Sequence, residues 1–555
     1  MERTKKSYKL RLTVMAVPTV IFAALIIIGA VNNEAFVAAL WKIFVWLMEN
    51  LGWAVELGCL GFVIFLAVLW IHPIGKIKFG GPDAKPKYNT WNWWAISLCA
   101  GVGTGIVFWG PVEPLVHTFA PAIASGVEAG SNEAIIWAMG KSFLHWSFTP
   151  YAIYVVSGVV IGFAYYNLHK PYAVSSCLTP LMGEKVPKPG LIKFVDALTL
   201  FAIIGGVSGS LGYGLLQIGS GIETVFGVPT GPTMWMVIAA VIVFSYCMSS
   251  LSGIDKGIKW LSDKNAWMFI LLLIFVLVLG PTSYIFNLTT QSFGHFINEF
   301  INLSTFTAPF ANNTDLWPQW WDIYWFVDWL SFGPIIGLFL IKLCYGRTIR
   351  EFITVNLVLP AMFAIIWFGV FGGFALDLQI VKGVDLVGYA TQFGNEALML
   401  RVMEELPLSN IIRPIMLLLI GLSFVTLADS MTSTVSLMSI ESKEKINEAP
   451  MNVKLFWGIL IGATSVIFVI SGGIEGVKVV KTIAGIPILF LDLIMLFGFI
   501  RYFVKGGTKF IPVEGEPLEP EARWQYEEEL AMAKSAEVVD DDEVLVVNVN
   551  EENIE

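Results

Sequence analysis

The feature that most constrains this chain is the recurrence of apolar runs about as long as a bilayer is thick. Twelve lie near residues 12–31, 52–72, 92–119, 143–166, 192–225, 232–252, 264–288, 320–344, 353–376, 411–438, 454–472 and 480–504. A helix rises about 1.5 Å per residue and the hydrocarbon layer is about 30 Å thick, so about twenty residues cross it. Inside that layer no water satisfies the backbone, and each run must close its own hydrogen bonds as a helix. An all-α integral membrane protein with twelve transmembrane helices is expected. Composition agrees, since only 14% of the 555 residues are charged, where soluble domains carry about a quarter.

Charge in the connecting loops tests the count. Lys and Arg concentrate on the cytoplasmic side. The N-terminus carries Arg3, Lys5, Lys6, Lys9 and Arg11, and the second loop Lys76, Lys78, Lys85 and Lys87. Basic residues recur in the fourth loop (Lys170, Lys185, Lys188), the sixth (Lys256, Lys259, Lys264), the eighth (Arg347, Arg350) and the tenth (Lys443, Lys445). The first, fifth and seventh loops are nearly free of them, and the ninth is mixed. This alternation puts both termini in the cytoplasm. The first run follows MERTKKSYKLR, lacks a convincing small-residue cleavage site and is read as an uncleaved helix. The net charge of −10 is set by the tail: residues 511–555 carry a net −13, leaving the rest near +3. That acidic tail reads as a solubilising segment with one short helical stretch at 521–536. An amphipathic segment, 291–302, is too polar to cross and suits either the outer interface or a loop with a turn of helix. Five scattered cysteines show no pairing or metal-ligand spacing.

Three stretches carry chemistry. GVGTGIVFWGPVEP (101–114) alternates glycines at 101, 103 and 105 inside a crossing run. Each glycine costs a continuous helix about 1 kcal/mol relative to Ala. The pattern fits an unwound segment offering backbone groups to a ligand, or close helix packing through small residues. LHWSFTPYAIY brings Trp146, Tyr151 and Tyr154 together beside Pro150. They suit either an interfacial aromatic belt or a cage for a quaternary ammonium, which has no N–H and is best held by π faces. In WDIYWFVDWLSFGP (321–334), Trp321, Trp325, Asp328 and Phe332 fall on one helical face with Trp329 at its border. A carboxylate mid-helix costs about 3 kcal/mol on insertion scales, so this face should turn inward. His117 and His145 read as single structural histidines without partners. No nucleophile, metal cluster or cofactor loop emerges, so an enzyme, a cofactor, a metal and a nucleic-acid partner are not expected.

Taken together, GVGTG followed by EP, HWSFTPYAIY, LSDKN (261–265), WDIYWFVDWLSFGP, GRTIREF (346–352) and TLADS (426–430) resemble the betaine/carnitine/choline transporter family over nearly the whole membrane body. The resemblance implies a LeuT-type core of two inverted five-helix repeats, spans 3–7 and 8–12, in a homotrimer of the inner membrane. The organisation is then a cytoplasmic N-terminus (1–11), two peripheral helices (12–90), the first repeat (91–290), an external helix and loop (291–319), the second repeat (320–506) and the tail (507–555). By motif position the cage falls on Trp146, Tyr151, Tyr154 and Trp329. Gly101, Gly103 and Gly105 would contact substrate or form a hinge, and Glu113 and Asp429 would serve gating or packing. Gly105, where choline carriers tend to have Asp, favours a zwitterion.

Departures from the family pattern bear on coupling. Positions matching one sodium site read Ile203 and Val207, and those matching the other read Thr426 and Leu427, so hydroxyl ligands are missing. The Arg that replaces sodium in exchangers aligns with Asn265, beside Lys264. Asp328 stands where the family usually has Trp. It admits three readings: a structural acid hydrogen-bonded to Ser or Tyr, a partner for a cationic substrate, or a proton carrier. The reading is therefore a secondary transporter of quaternary ammonium or related amino compounds, led by betaine- or carnitine-like zwitterions with choline or another cation next. Alternating access would run without sodium, by exchange or proton coupling. A sodium-coupled osmolyte symporter and a non-transporting sensor are the alternatives.

Overall fold

The computed structural model describes residues 8–102, 105–182, 187–249, 254–311, 315–441 and 450–505. Gly103, the acidic tail, Arg3, Lys5, Lys6, Lys185, Lys443 and Lys445 lie outside the described residues. The described chain is almost wholly helical. It opens with α1 (Leu12–Val31) and α2 (Asn33–Ile71), followed by α3 (Thr90–Val102), α4 (Gly105–Phe119), α5 (Asn132–Trp146), α6 (Phe148–Tyr166), the short α7 (Leu178–Met182), α8 (Pro189–Phe226) and α9 (Pro232–Ser249). Next come α10 (Ile254–Leu279), α11 (Thr282–Asn298), α12 (Phe300–Ser304), α13 (Tyr324–Ile341), α14 (Ile349–Ile353) and α15 (Leu359–Leu376). The last are α16 (Leu386–Phe393), α17 (Asn395–Glu404), α18 (Ser409–Met438) and α19 (Met451–Val504).

Nine helices among the described residues are long and apolar enough to cross a membrane, or ten if α10 and α11 form one bent span. Several boundaries differ from those expected. The second run is one helix from Asn33, because Lys42 and Glu49 dilute its apolar pattern without breaking it. Asn32 caps that helix, its side chain accepting from Ala35 N at 3.1 Å. The seventh run does not continue to 288. It ends at Leu279, and after Gly280–Pro281 the chain turns by 111° into α11. Proline disfavours the helical region for the residue before it, and the bend falls at Gly280–Pro281. The amphipathic segment at 291–302 belongs to α11 and α12. The fourth run starts at Asn132 and breaks at Ser147, whose φ and ψ are −113° and −111°.

Two further irregularities position the interior. Five residues in π geometry, Gln319–Ile323, precede α13, and such turns aim side chains off the regular helical face. In α19 two arms, Met451–Gly473 and Glu475–Val504, meet at Gly473, whose φ of +54° and ψ of −131° lie where a Cβ is not tolerated. Every residue of α13 is buried. It packs between α6, α8 and α19, and the approach is backbone-close. A Cβ on Gly337 would lie 2.7 Å from the Gly158 nitrogen, and one on Gly485 would lie 2.1 Å from the Val327 carbonyl oxygen.

Candidate functional site

A cavity opens where α3, α4, the end of α5, α6, α8, α13, α18 and the second arm of α19 converge. Of the residues expected from sequence, Gly101, Gly105, Trp146, Tyr154, Trp325, Asp328, Trp329 and Phe332 line it. The break at Ser147 ends α5 so that Trp146 projects across Gly105, where a Cβ would lie 2.7 Å from the Trp146 ring. The indole of Trp329 stands at 89° to that of Trp146, with centroids 5.2 Å apart, and at 73° to Tyr154 at 5.7 Å. Trp325 closes on Trp146 at 4.8 Å and on Trp109 at 5.2 Å. Perpendicular rings present π faces in several directions at once, the geometry that holds a cation without N–H groups. Tyr151 packs on Tyr154, with ring centroids 6.5 Å apart, and stands behind the wall residue Gly101, where a Cβ would lie 3.7 Å from its ring.

Among the described residues the Asp328 carboxylate makes no hydrogen bond to Ser or Tyr. Its Oδ1 lies 2.6 Å from Nζ of Lys481 on the second arm of α19, and both side chains are buried. Ser331 donates instead to the backbone carbonyl of Asp328. The Lys481 stem runs along Gly209, where a Cβ would lie 2.4 Å from its Cγ, and the ammonium sits 5.0 Å from the ring centre of Tyr213 and 5.7 Å from that of Phe332. A buried charge is tolerated when paired, and the pair resolves why α13 can carry an acid. Lys481 escaped the sequence reading because it stands at the border assigned to the twelfth run. The available signal was KVVK (478–481), two lysines in an otherwise apolar segment. Ser210, Tyr213 and Gln217 of α8 also line the cavity and were likewise missed. Glycines and aliphatics dominate α8, and nothing in its pattern marks one face.

Beside the cage lies a second buried constellation, and it corrects the reading of the histidines as unpartnered. His145 Nδ1 is 2.5 Å from Glu113 Oε1 and its Nε2 is 2.5 Å from Asp322 Oδ1. His117 Nε2 also reaches Glu113, at 3.2 Å, and Lys141 Nζ donates to Asp322 Oδ2 at 2.5 Å and to the Leu303 carbonyl at 3.0 Å. This cluster grips the cage. The Trp146 indole donates to Glu113 Oε2 at 2.7 Å, and the Trp329 indole donates to the His145 carbonyl at 3.0 Å. Sequence separation hides it: its members sit on α4, α5 and the π turn before α13.

Of the coupling candidates, Asp328 lines the cavity, and Lys264, Asn265 and Thr426 are not among its lining residues. Lys264 is exposed and lies 3.7 Å from Asp263, away from the cavity. Asn265 is buried and donates to Ser423 at 3.0 Å. Thr426 donates to its own helix, to the Leu422 carbonyl at 2.8 Å. Ile203 and Val207 are buried, and Leu427 lines the cavity, so these positions present hydrocarbon. Asp429 pairs with Lys454.

The family model for "BCCT, betaine/carnitine/choline family transporter" matches residues 13–507. This chain belongs to that family. The BCCT chain is 32% identical over 508 residues to the glycine betaine transporter OpuD of Bacillus subtilis, covering 91% of this chain and 97% of that one. It is 32% identical over 485 residues to an ectoine/hydroxyectoine transporter of Virgibacillus pantothenticus, covering 87% and 95%. It is 33% identical over 485 residues to glycine betaine transporter 1 of Vibrio parahaemolyticus, covering 85% and 90%. A Na+-coupled sialic acid symporter of known structure aligns over 81% of this chain and 87% of its own, at 12% identity and a TM-score of 0.40. The BCCT chain is a transporter and not an enzyme.

Proposed function

We propose that the chain is a secondary transporter of zwitterionic osmolytes of the betaine and ectoine type, working by alternating access without sodium. One observation carries the reading: the buried rings of Trp146, Tyr154 and Trp329, set nearly at right angles to one another, line a single cavity between the helices. Each desolvated face contributes about 2 kcal/mol to a quaternary or amidinium cation. The similarity to betaine and ectoine carriers points to the same chemistry. Sodium is a hard cation that takes oxygen ligands. The positions aligned with sodium sites offer Ile203, Val207 and Leu427, which supports a sodium-free cycle.

Twelve crossings are part of this proposal. Counting α10–α11 as one bent span gives ten long apolar helices, which become twelve when the pair α3–α4 and the shorter Pro232–Tyr246 segment are added. The inverted repeat is supported by the irregular first helix of each half, α3–α4 and the π turn leading into α13. A trimer in the inner membrane, with both termini cytoplasmic, completes the reading on family grounds.

The test is uptake into proteoliposomes of labelled glycine betaine and ectoine, with sodium inside and outside or with potassium in its place. Uptake or counterflow of at least one compound at the same rate in both salts is expected. Absence of both with every zwitterion tried would overturn the transport reading, and uptake confined to sodium would overturn the sodium-free part.

A further inference from the structure

We propose that the Asp328–Lys481 pair is opened by the substrate, and that Lys481 with Gln217 forms a carboxylate subsite opposite the aromatic cage. The proposal rests on the transport reading above and names how the site chooses its ligand.

The argument begins with unfilled bonding capacity. A lysine ammonium has three donors. Among the described residues Lys481 Nζ has one oxygen partner, Asp328, and its other neighbours are the rings of Tyr213 and Phe332. Gln217 is 4% exposed, and neither its amide nitrogen nor its oxygen has a hydrogen-bond partner. The indole nitrogen of Trp325 is buried without one as well. All three residues line the cavity. Buried polar groups are otherwise almost always satisfied, so an under-bonded ammonium, amide and indole around one space mark a place for an acceptor. A carboxylate supplies about four lone-pair sites and matches a cation-bearing set of donors.

Charge balance decides the ligand class. Asp328 and Lys481 together are neutral. A zwitterion is neutral too, and it can divide the pair with no net buried charge: its carboxylate goes to Lys481 and its cationic end to the face shared by Asp328 and the cage. A simple cation such as choline can satisfy Asp328 only by leaving the Lys481 ammonium buried and alone, which is strongly unfavourable. The pair thus discriminates by penalising the wrong ligand. The same arrangement explains how an acid stands beside a betaine site without repelling the betaine carboxylate, since Lys481 draws that end away from Asp328.

The test uses purified full-length protein and two ligands that differ only at the carboxylate: glycine betaine, and choline, where a hydroxymethyl group replaces it. Binding is read by intrinsic tryptophan fluorescence or calorimetry. Should ectoine bind more tightly than betaine, ectoine and its carboxamide serve as the pair. Wild type is expected to prefer the carboxylate ligand by a hundredfold or more. Lys481→Met should cut that ratio to below tenfold and tighten binding of the uncharged-end partner, because Asp328 is set free. A purely structural lysine would not produce that gain. Lys481→Arg should keep most of the preference. Because Lys481→Met strands a buried carboxylate, the double variant Asp328→Asn/Lys481→Met, which removes both charges, guards against misfolding. It should also lose the preference. A folded double variant that keeps the wild-type ratio would overturn the inference while leaving the transport reading intact. Wild type that binds neither betaine nor ectoine would overturn the reading of a betaine- or ectoine-type substrate, and this inference with it.

Discussion

Asp322 shows how much one buried side chain can organise. It accepts from Lys141 and faces His145, whose other nitrogen faces Glu113, which in turn fixes the Trp146 indole. An imidazole with a carboxyl group at each nitrogen links the two acids, so Lys141, His145, Glu113 and Asp322 form one buried and mutually paired cluster. Removing Asp322 takes away the carboxylate partner of Lys141 and the partner of one His145 nitrogen, both buried. Asp322→Ala is expected to destabilise the protein by about 3–5 kcal/mol, read as a lowered Tm in detergent; an unchanged Tm would mean that the cluster does not hold the helices together. The cage makes a separate prediction. Trp329→Ala should weaken substrate binding by about 2 kcal/mol, or about thirtyfold, whereas Trp329→Phe keeps a π face and should lose less. Equal losses in the two variants would assign Trp329 to packing alone.

Among the elements, α13 and the second arm of α19 form the contact on which the site depends. Their approach rests on Gly485, where a Cβ would lie 2.1 Å from the Val327 carbonyl oxygen, next to Asp328 and one turn beyond Lys481. A backbone carbonyl in a helix cannot step aside as a side chain can. Gly485→Ala should therefore push the helices apart, costing about 1–3 kcal/mol in overpacking and loosening the Asp328–Lys481 pair. A lowered Tm with reduced affinity for the zwitterion is the expected result. Wild-type values for both would show that α19 can shift without consequence to the site. The bend after Gly280 acts at the same scale: it ends one apolar run where the backbone, and not hydropathy, demands it.

For the molecule as a whole, the proposed transport cycle makes no use of sodium, and replacing external sodium with potassium is expected to change initial uptake by less than twofold. A tenfold loss would restore the symporter alternative. The loop charges predict that single-cysteine reporters placed near Lys76 and Arg350 label from the same face as the N-terminus, and one near Gly126 from the opposite face. Labelling of the first two from opposite faces would refute the even spacing of crossings between them.

Apolar runs, basic loops and family motifs were legible in the sequence because hydropathy and charge are local and additive along a chain. They were enough for the membrane class, the family, and most of the cavity wall, including Trp146, Tyr154, Asp328 and Trp329. What Asp328 touches was not legible. Lys481 is 153 residues away, and only the packing of α19 on α13 brings it to 2.6 Å. His145 likewise read as solitary because Glu113 and Asp322 reach it from other helices. A buried charge announces in sequence that it needs a partner, since the cost of leaving it alone is too high. Which partner it finds is decided by helix geometry, where a glycine such as Gly485 or Gly209 sets the distance of closest approach.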